Sequence, residues 1–277
     1  MSQLFRNRLA ALDLGWKWWF AVIAAVGITL AGMIPALLAA PLTADAGLIS
    51  LLNMAALAII PLGLLALAHR RLPSRERLGL RFDLLGRDLA IGFAAVLIVN
   101  VVFELLARLM GDRIGGADTG ALVADGFGQG LRSDALMMLI VVVLAPWAEE
   151  LAYRAGLFRA LHDGLGRSRA LGAAGAAAIA VALSALIFAL AHSAPGEPSF
   201  IPYLIVSAMF PLVYLWSGSL TAAILAHSLQ SSFAWGMLLY RARGEIEVAP
   251  VLFVIVLGGP ALTLALSWLT ARLLPAR

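Results

Sequence analysis

The chain has no cysteine, a single lysine and few charges of any kind: only 13% of its 277 residues are charged. The missing cysteine excludes disulfide frameworks, thiolate metal sites and a cysteine nucleophile. A soluble domain carries about 25% charged residues, so too few are present here to cover a water-facing globule of this size. Two protease signatures are absent as well, His-Glu-x-x-His and Gly-x-Ser-Gly. The triplet Asp118-Thr119-Gly120 imitates an aspartic-protease motif, but it sits in a Gly-rich connection and reads as chance.

What the chain has in quantity is apolar length: 62% of residues are hydrophobic and the mean hydropathy is +0.95. Crossing a bilayer takes about 20 mostly apolar residues. Eight stretches meet or approach this, at residues 16–40, 48–68, 89–110, 135–158, 170–191, 200–216, 219–240 and 250–273. The sixth is short and is interrupted by Pro202 and Pro211. The first reads as a retained anchor, since it outlasts the 7–15-residue core of a signal peptide and Pro41 follows any cut. The expected fold is an all-α polytopic membrane bundle of about eight helices, one transmembrane domain over residues 1–277.

The basic residues sort by side. Arg6, Arg8 and Lys17, the six arginines from Arg70 to Arg87, Arg159, Arg167, Arg169, Arg272 and Arg277 make 14 on one side of an eight-span plan. The other side holds four, Arg113, Arg132, Arg241 and Arg243. Excess arginine and lysine mark the cytoplasmic face, so both termini are expected there. The net charge of +4 is then topological anchoring. It does not describe a nucleic-acid surface, and the partners expected are the lipid bilayer and a membrane protein or peptide.

Polar residues inside the spans carry the functional signal, because a charge near the bilayer centre costs about 2.5–3.5 kcal/mol. The fourth span contains Pro146, Glu149, Glu150 and Arg154. Glu150 and Arg154 share a helical face, whereas Glu149 points about 100° away from Glu150. His192 ends the fifth span and His227 lies in the seventh with Ser231 on its face; the two remaining histidines, His69 and His162, fall in basic connections. One intramembrane histidine is more often a hydrogen-bonded packing residue than a ligand. Two on separate spans, with a spare carboxylate, supply ligands for a metal such as zinc, or a general base with polarising partners. The short turn from His162 to Arg169 makes the fourth and fifth spans antiparallel neighbours. Counted back from Gly164 and forward from Arg169, Glu149 and His192 differ in height by eight residues, about 12 Å, which side chains leaning toward their own N-termini reduce in part.

The series Glu149-Glu150-x-x-x-Arg154, Phe188-x-x-x-His192 and His227 resembles the CAAX-protease and bacteriocin-processing family of intramembrane metalloendopeptidases, over a catalytic core of about residues 134–240. The resemblance implies that Glu149 activates a water, with Glu150 and Arg154 as supporting partners. It implies that His192 helps bind the water or a metal, and that His227 holds the centre together or stabilises the oxyanion. Glu149, His192 and His227 are the implied ligands of a divalent metal, zinc first, with a metal-free glutamate mechanism as the alternative. The family commonly has Asn four residues after the last histidine, where this chain has Ser231. The implied setting is a multi-pass protein of a bacterial inner membrane. Two other classes stay open on the residues alone: a non-catalytic scaffold or immunity-type protein, and a transporter relaying protons through Glu and His.

Overall fold

The computed structural model describes residues 14–39, 46–70, 72–110, 131–168, 170–243 and 245–276. Arg6, Arg8, Arg113 and the Asp118–Gly120 triplet therefore lie outside the described residues. The helices are α1 (Phe20–Ala39), α2 (Ala46–His69), a single turn α3 (Arg75–Leu78), α4 (Leu85–Met110), α5 (131–165), α6 (Gly172–His192), α7 (Phe200–Ser217), α8 (Leu220–Arg243) and α9 (Glu245–Leu273). No strand occurs among the described residues.

The described part of each of the eight expected stretches falls largely within a long helix. By length and hydropathy, five of these are able to cross a bilayer on their described residues: Gly47–His69, Leu85–Leu109, Ala135–Leu165, Gly172–His192 and Phe200–Ser217. The buried face of helix α8 carries Thr221, His227, Ser228, Gln230 and Ser232. The protein is an all-α, multi-pass integral membrane bundle.

Helix α5 is the axis of the bundle, packing against α1, α2, α6, α7, α8 and α9. Lipid tails are as apolar as leucine, so membrane helices associate through close packing of small residues. The buried alanines Ala148, Ala152, Ala155 and Ala160 of α5, with Ala222, Ala223 and Ala226 of α8, provide it. Large apolar side chains such as Leu97, Ile98, Val101 and Leu105 of α4 point outward. Gly92 of α4 lies so close to α8 that an added Cβ would come within 3.3 Å of the Ala226 nitrogen.

α5 is not a uniform α-helix. It is α-helical over Leu131–Leu139, Ala145–Glu149 and Arg159–Leu165, and π-helical over Ile140–Leu144 and Glu150–Phe158. π segments are rare and concentrate at functional sites. Pro146 explains part of the first one. It has no N–H to give the Val142 carbonyl one turn earlier, and a buried carbonyl left alone costs about 1–3 kcal/mol. Ser228 Oγ of α8 donates to that carbonyl at 2.7 Å and Thr263 Oγ1 of α9 at 3.3 Å. The proline thus ties three helices together beside the site.

The same logic corrects the reading of the sixth stretch as interrupted. Pro202 lies in the first turn of α7, where no N–H is needed. Pro211 stays inside an unbroken α7 but deprives the Ser207 carbonyl of its donor. That carbonyl receives Arg154 Nη2 of α5 at 3.2 Å.

Candidate active site

The structure brings five of the six sequence-derived residues together. Glu149 and Glu150 stand where α5 passes from α to π geometry, 7% and 0% exposed, and Arg154 is 0% exposed. Arg154 Nη1 lies 3.1 Å from Glu150 Oε1, pairing with this carboxylate as the four-residue spacing predicts. His227 of α8 reaches the same oxygen through Nδ1 at 2.8 Å. Glu149, on its different bearing, is engaged from elsewhere. His192 Nε2 lies 3.6 Å from Oε1 and His227 Nε2 lies 3.7 Å from Oε2.

The height mismatch between Glu149 and His192 closes for a definite reason. The turn sits further along the chain than the sequence suggests, with α5 ending at Leu165 and α6 starting only at Gly172. From those ends the two residues differ by four positions, about 6 Å. The opposed lean of the two side chains covers much of what is left.

Hydrogen-bond partners fix which nitrogen of each imidazole carries a proton. His192 Nδ1 faces the Phe188 carbonyl at 2.8 Å, and a carbonyl can only accept, so Nδ1–H donates. His227 Nδ1–H likewise donates to Glu150. In the neutral rings both Nε2 atoms are therefore lone pairs, and both face the carboxylate of Glu149. Three acceptors meeting in a buried space call for something to stand between them, a water, a proton or a cation.

Aromatic rings set the planes of these groups, and the sequence reading gave them no role in the site. Phe188 stacks on His192 with centroids 4.2 Å apart, and Phe210 stacks on His227, also at 4.2 Å. The Arg154 guanidinium lies 4.7 Å from the Phe188 ring centre and 4.9 Å from that of Phe210. Each phenylalanine thus lies against the arginine and stacks on one histidine, holding the cation by its π face, and Phe188 also meets His227 edge-on. Tyr153 and Tyr203 add ring contacts to Phe188 and His192 respectively. The four-residue spacing from Phe188 to His192 is visible in the sequence; nothing there singles out Phe210.

Ser231 is the exception. It is half-buried, and no hydrogen bond among the described residues joins it to the cluster.

Two imidazole Nε2 lone pairs and a carboxylate are suitable donors for a divalent metal. As they stand, no group of three or more His, Asp or Glu side chains among the described residues is set to hold an ion. The donor chemistry fits a metal better than the spacing does.

Comparison with known proteins agrees with the residues. Residues 131–233 match the family model described as Rce1-like: Type II CAAX prenyl endopeptidase Rce1-like. The membrane-embedded CAAX protease MroQ of Staphylococcus aureus (strain USA300) is 30% identical over 145 residues, which cover 52% of this chain and 54% of that protein. The match thus spans about half the length of each. No solved structure matches. The model-matched segment contains all five clustered residues and Ser231, and both matches support the CAAX-protease and bacteriocin-processing family.

Proposed function

We propose, on the premise of that family core, that the chain is an intramembrane endopeptidase in which Glu149 activates a water against the scissile peptide bond. One observation carries the reading. Glu149 is a nearly buried carboxylate whose two oxygens each face a histidine nitrogen just beyond hydrogen-bond reach. Polar atoms more than about 3.5 Å apart invite a bridging water, which at this spacing would sit to one side of each pair. On the neighbouring Glu150, by contrast, Oε1 faces both Arg154 and His227, while Oε2 is sealed in the protein with no room left open beside a histidine nitrogen and no hydrogen-bond partner among the described residues.

Glu149 takes one proton from the water while its oxygen attacks the scissile carbonyl carbon. That proton then passes to the departing nitrogen as the C–N bond breaks, leaving a new carboxyl and a new amine. General-base assistance of this kind contributes about 10²–10⁴-fold. Arg154 and Glu150 act at one remove: they hold His227 by its Nδ1–H, so that Nε2 faces the reacting water. The Phe188 carbonyl does the same for His192. Two carboxylates and one guanidinium leave one negative charge, and a proton shared by the imidazoles, or a cation, balances it. A divalent metal such as zinc, when bound, would be held by Glu149, His192 and His227 and would polarise the water as a Lewis acid.

The substrate class is a membrane protein or membrane-derived peptide, cut at or within the bilayer. The setting proposed is a bacterial inner membrane, with both termini cytoplasmic. The test is cleavage of a library of membrane-derived peptides by detergent-purified wild type and Glu149→Gln, with and without chelator. Cleavage lost in the variant supports the peptidase, and chelator sensitivity reversed by added zinc supports the metal-dependent form. A variant that folds, inserts and keeps its biological activity in cells would favour a non-catalytic scaffold instead.

A further inference from the structure

A second polar pair lies one turn along α8 from His227. Gln230 is 5% exposed, and its Oε1 accepts from Asn100 Nδ2 of α4 at 3.0 Å. The same Asn100 nitrogen donates to the Val96 carbonyl at 2.8 Å. A carbonyl only accepts, so the Asn100 atom facing Val96 is the nitrogen, and the Gln230 atom facing that nitrogen is the oxygen. Both amides are oriented by chemistry. Asn100 has then committed both of its N–H groups, and Gln230 its oxygen. Left over are one acceptor, Asn100 Oδ1, and the two donors of Gln230 Nε2. Among the described residues neither atom has a hydrogen-bond partner, and neither is sealed inside the protein.

One acceptor beside donors is the complement of a peptide group, which offers N–H and C=O. A peptide bond can be attacked only where its helix has been unwound. An unwound segment in a bilayer exposes backbone groups that lipid cannot satisfy, each at a cost of several kcal/mol. Something in the protein must therefore meet them near the reacting bond. The close approach of Gly92 to Ala226 sets α4 against α8, and Gln230 stands three residues, about 4.5 Å along the axis, from His227.

We infer that the Asn100–Gln230 pair is a subsite for the main chain of an unwound substrate segment, Gln230 donating to a substrate carbonyl and Asn100 accepting a substrate N–H. The inference rests on the peptidase reading above. It concerns binding and register, not proton transfer.

The experiment uses a peptide that the wild-type protein cuts, remade with single backbone esters in place of successive peptide bonds around the cleavage point. An ester at the position facing Asn100 removes the N–H and raises KM about tenfold with kcat within about twofold, as one hydrogen bond predicts. In Asn100→Leu, KM is already about tenfold higher and that ester adds nothing further. Gln230→Leu also raises KM about tenfold. Ester effects spread evenly over all positions in the wild-type protein, which needs no variant to fold, would overturn the subsite. So would unchanged KM in both variants while Glu149→Gln abolishes cleavage, and the peptidase reading would survive that result. If the wild-type protein cuts no peptide and Glu149→Gln leaves cellular function intact, the peptidase reading falls and the subsite falls with it.

Discussion

Helix α5 carries two acid–base pairs at the same spacing, Glu150–Arg154 and Arg159–Asp163, and their surroundings differ. At Asp163 both carboxylate oxygens are supplied with donors. Oδ2 accepts Leu14 N–H at 2.9 Å and Arg159 Nη2 at 3.1 Å, while His162 Nδ1 lies 3.0 Å from Oδ1. That cluster ties the segment ahead of α1 to the end of α5, with Trp16 buried beside it. Around Glu150 and Arg154 there is an extra carboxylate, Glu149, whose oxygens face imidazole nitrogens at 3.6 and 3.7 Å and accept no hydrogen bond from a described residue. A carboxylate supplied with all its donors holds structure; one left facing lone pairs is available to a water. The comparison locates chemistry by what is unmet, and a count of charges would have ranked the two clusters alike.

The largest effect that would sharpen this contrast is on stability at the paired carboxylate. Arg154→Leu leaves Glu150 charged and buried without its partner, and a broken buried pair costs about 3–5 kcal/mol. Thermal unfolding in detergent should show that loss, and Glu150→Gln in the same background should recover part of it. Next come the histidines. His192→Ala and His227→Ala each lower kcat by about 10²-fold or more, and His227→Ala also destabilises because Glu150 loses a donor. Equal stability losses in both would break the distinction between a histidine that shares Glu150 and one that does not. The double change Ser228→Ala with Thr263→Ala leaves the Val142 carbonyl without its side-chain donors and costs about 1–3 kcal/mol, with turnover per folded molecule little altered. The smallest effect belongs to Ser231→Ala, where turnover changes by less than about threefold because no bond joins that hydroxyl to the site.

These expectations also mark what could be read beforehand. Glu149, Glu150, Arg154, His192 and His227 stood out because each is costly in a membrane, and cost is visible in sequence. The helical stretches were legible for the complementary reason, uninterrupted apolar length. The π geometry of 140–144 and 150–158 was not legible, because one extra residue per turn leaves apolar composition unchanged. Pro211 reads in the sequence as an interruption; its consequence, a freed Ser207 carbonyl for Arg154, depends on which helix lies opposite. Ser231 shares a helical face with His227, yet no hydrogen bond among the described residues joins it to the cluster. Phe210 was hidden by abundance, since phenylalanine costs nothing in a span.

The most direct test of the central claim sets Glu149→Gln beside Asp163→Asn in one preparation, measuring thermal unfolding and peptide turnover for both. The account predicts that Glu149→Gln loses turnover by about 10²–10⁴-fold with unfolding nearly unmoved. Asp163→Asn should unfold several degrees lower, with turnover per folded molecule close to wild type. The reverse pattern, or a Glu149→Gln protein that still cuts peptide at the wild-type rate, would contradict it.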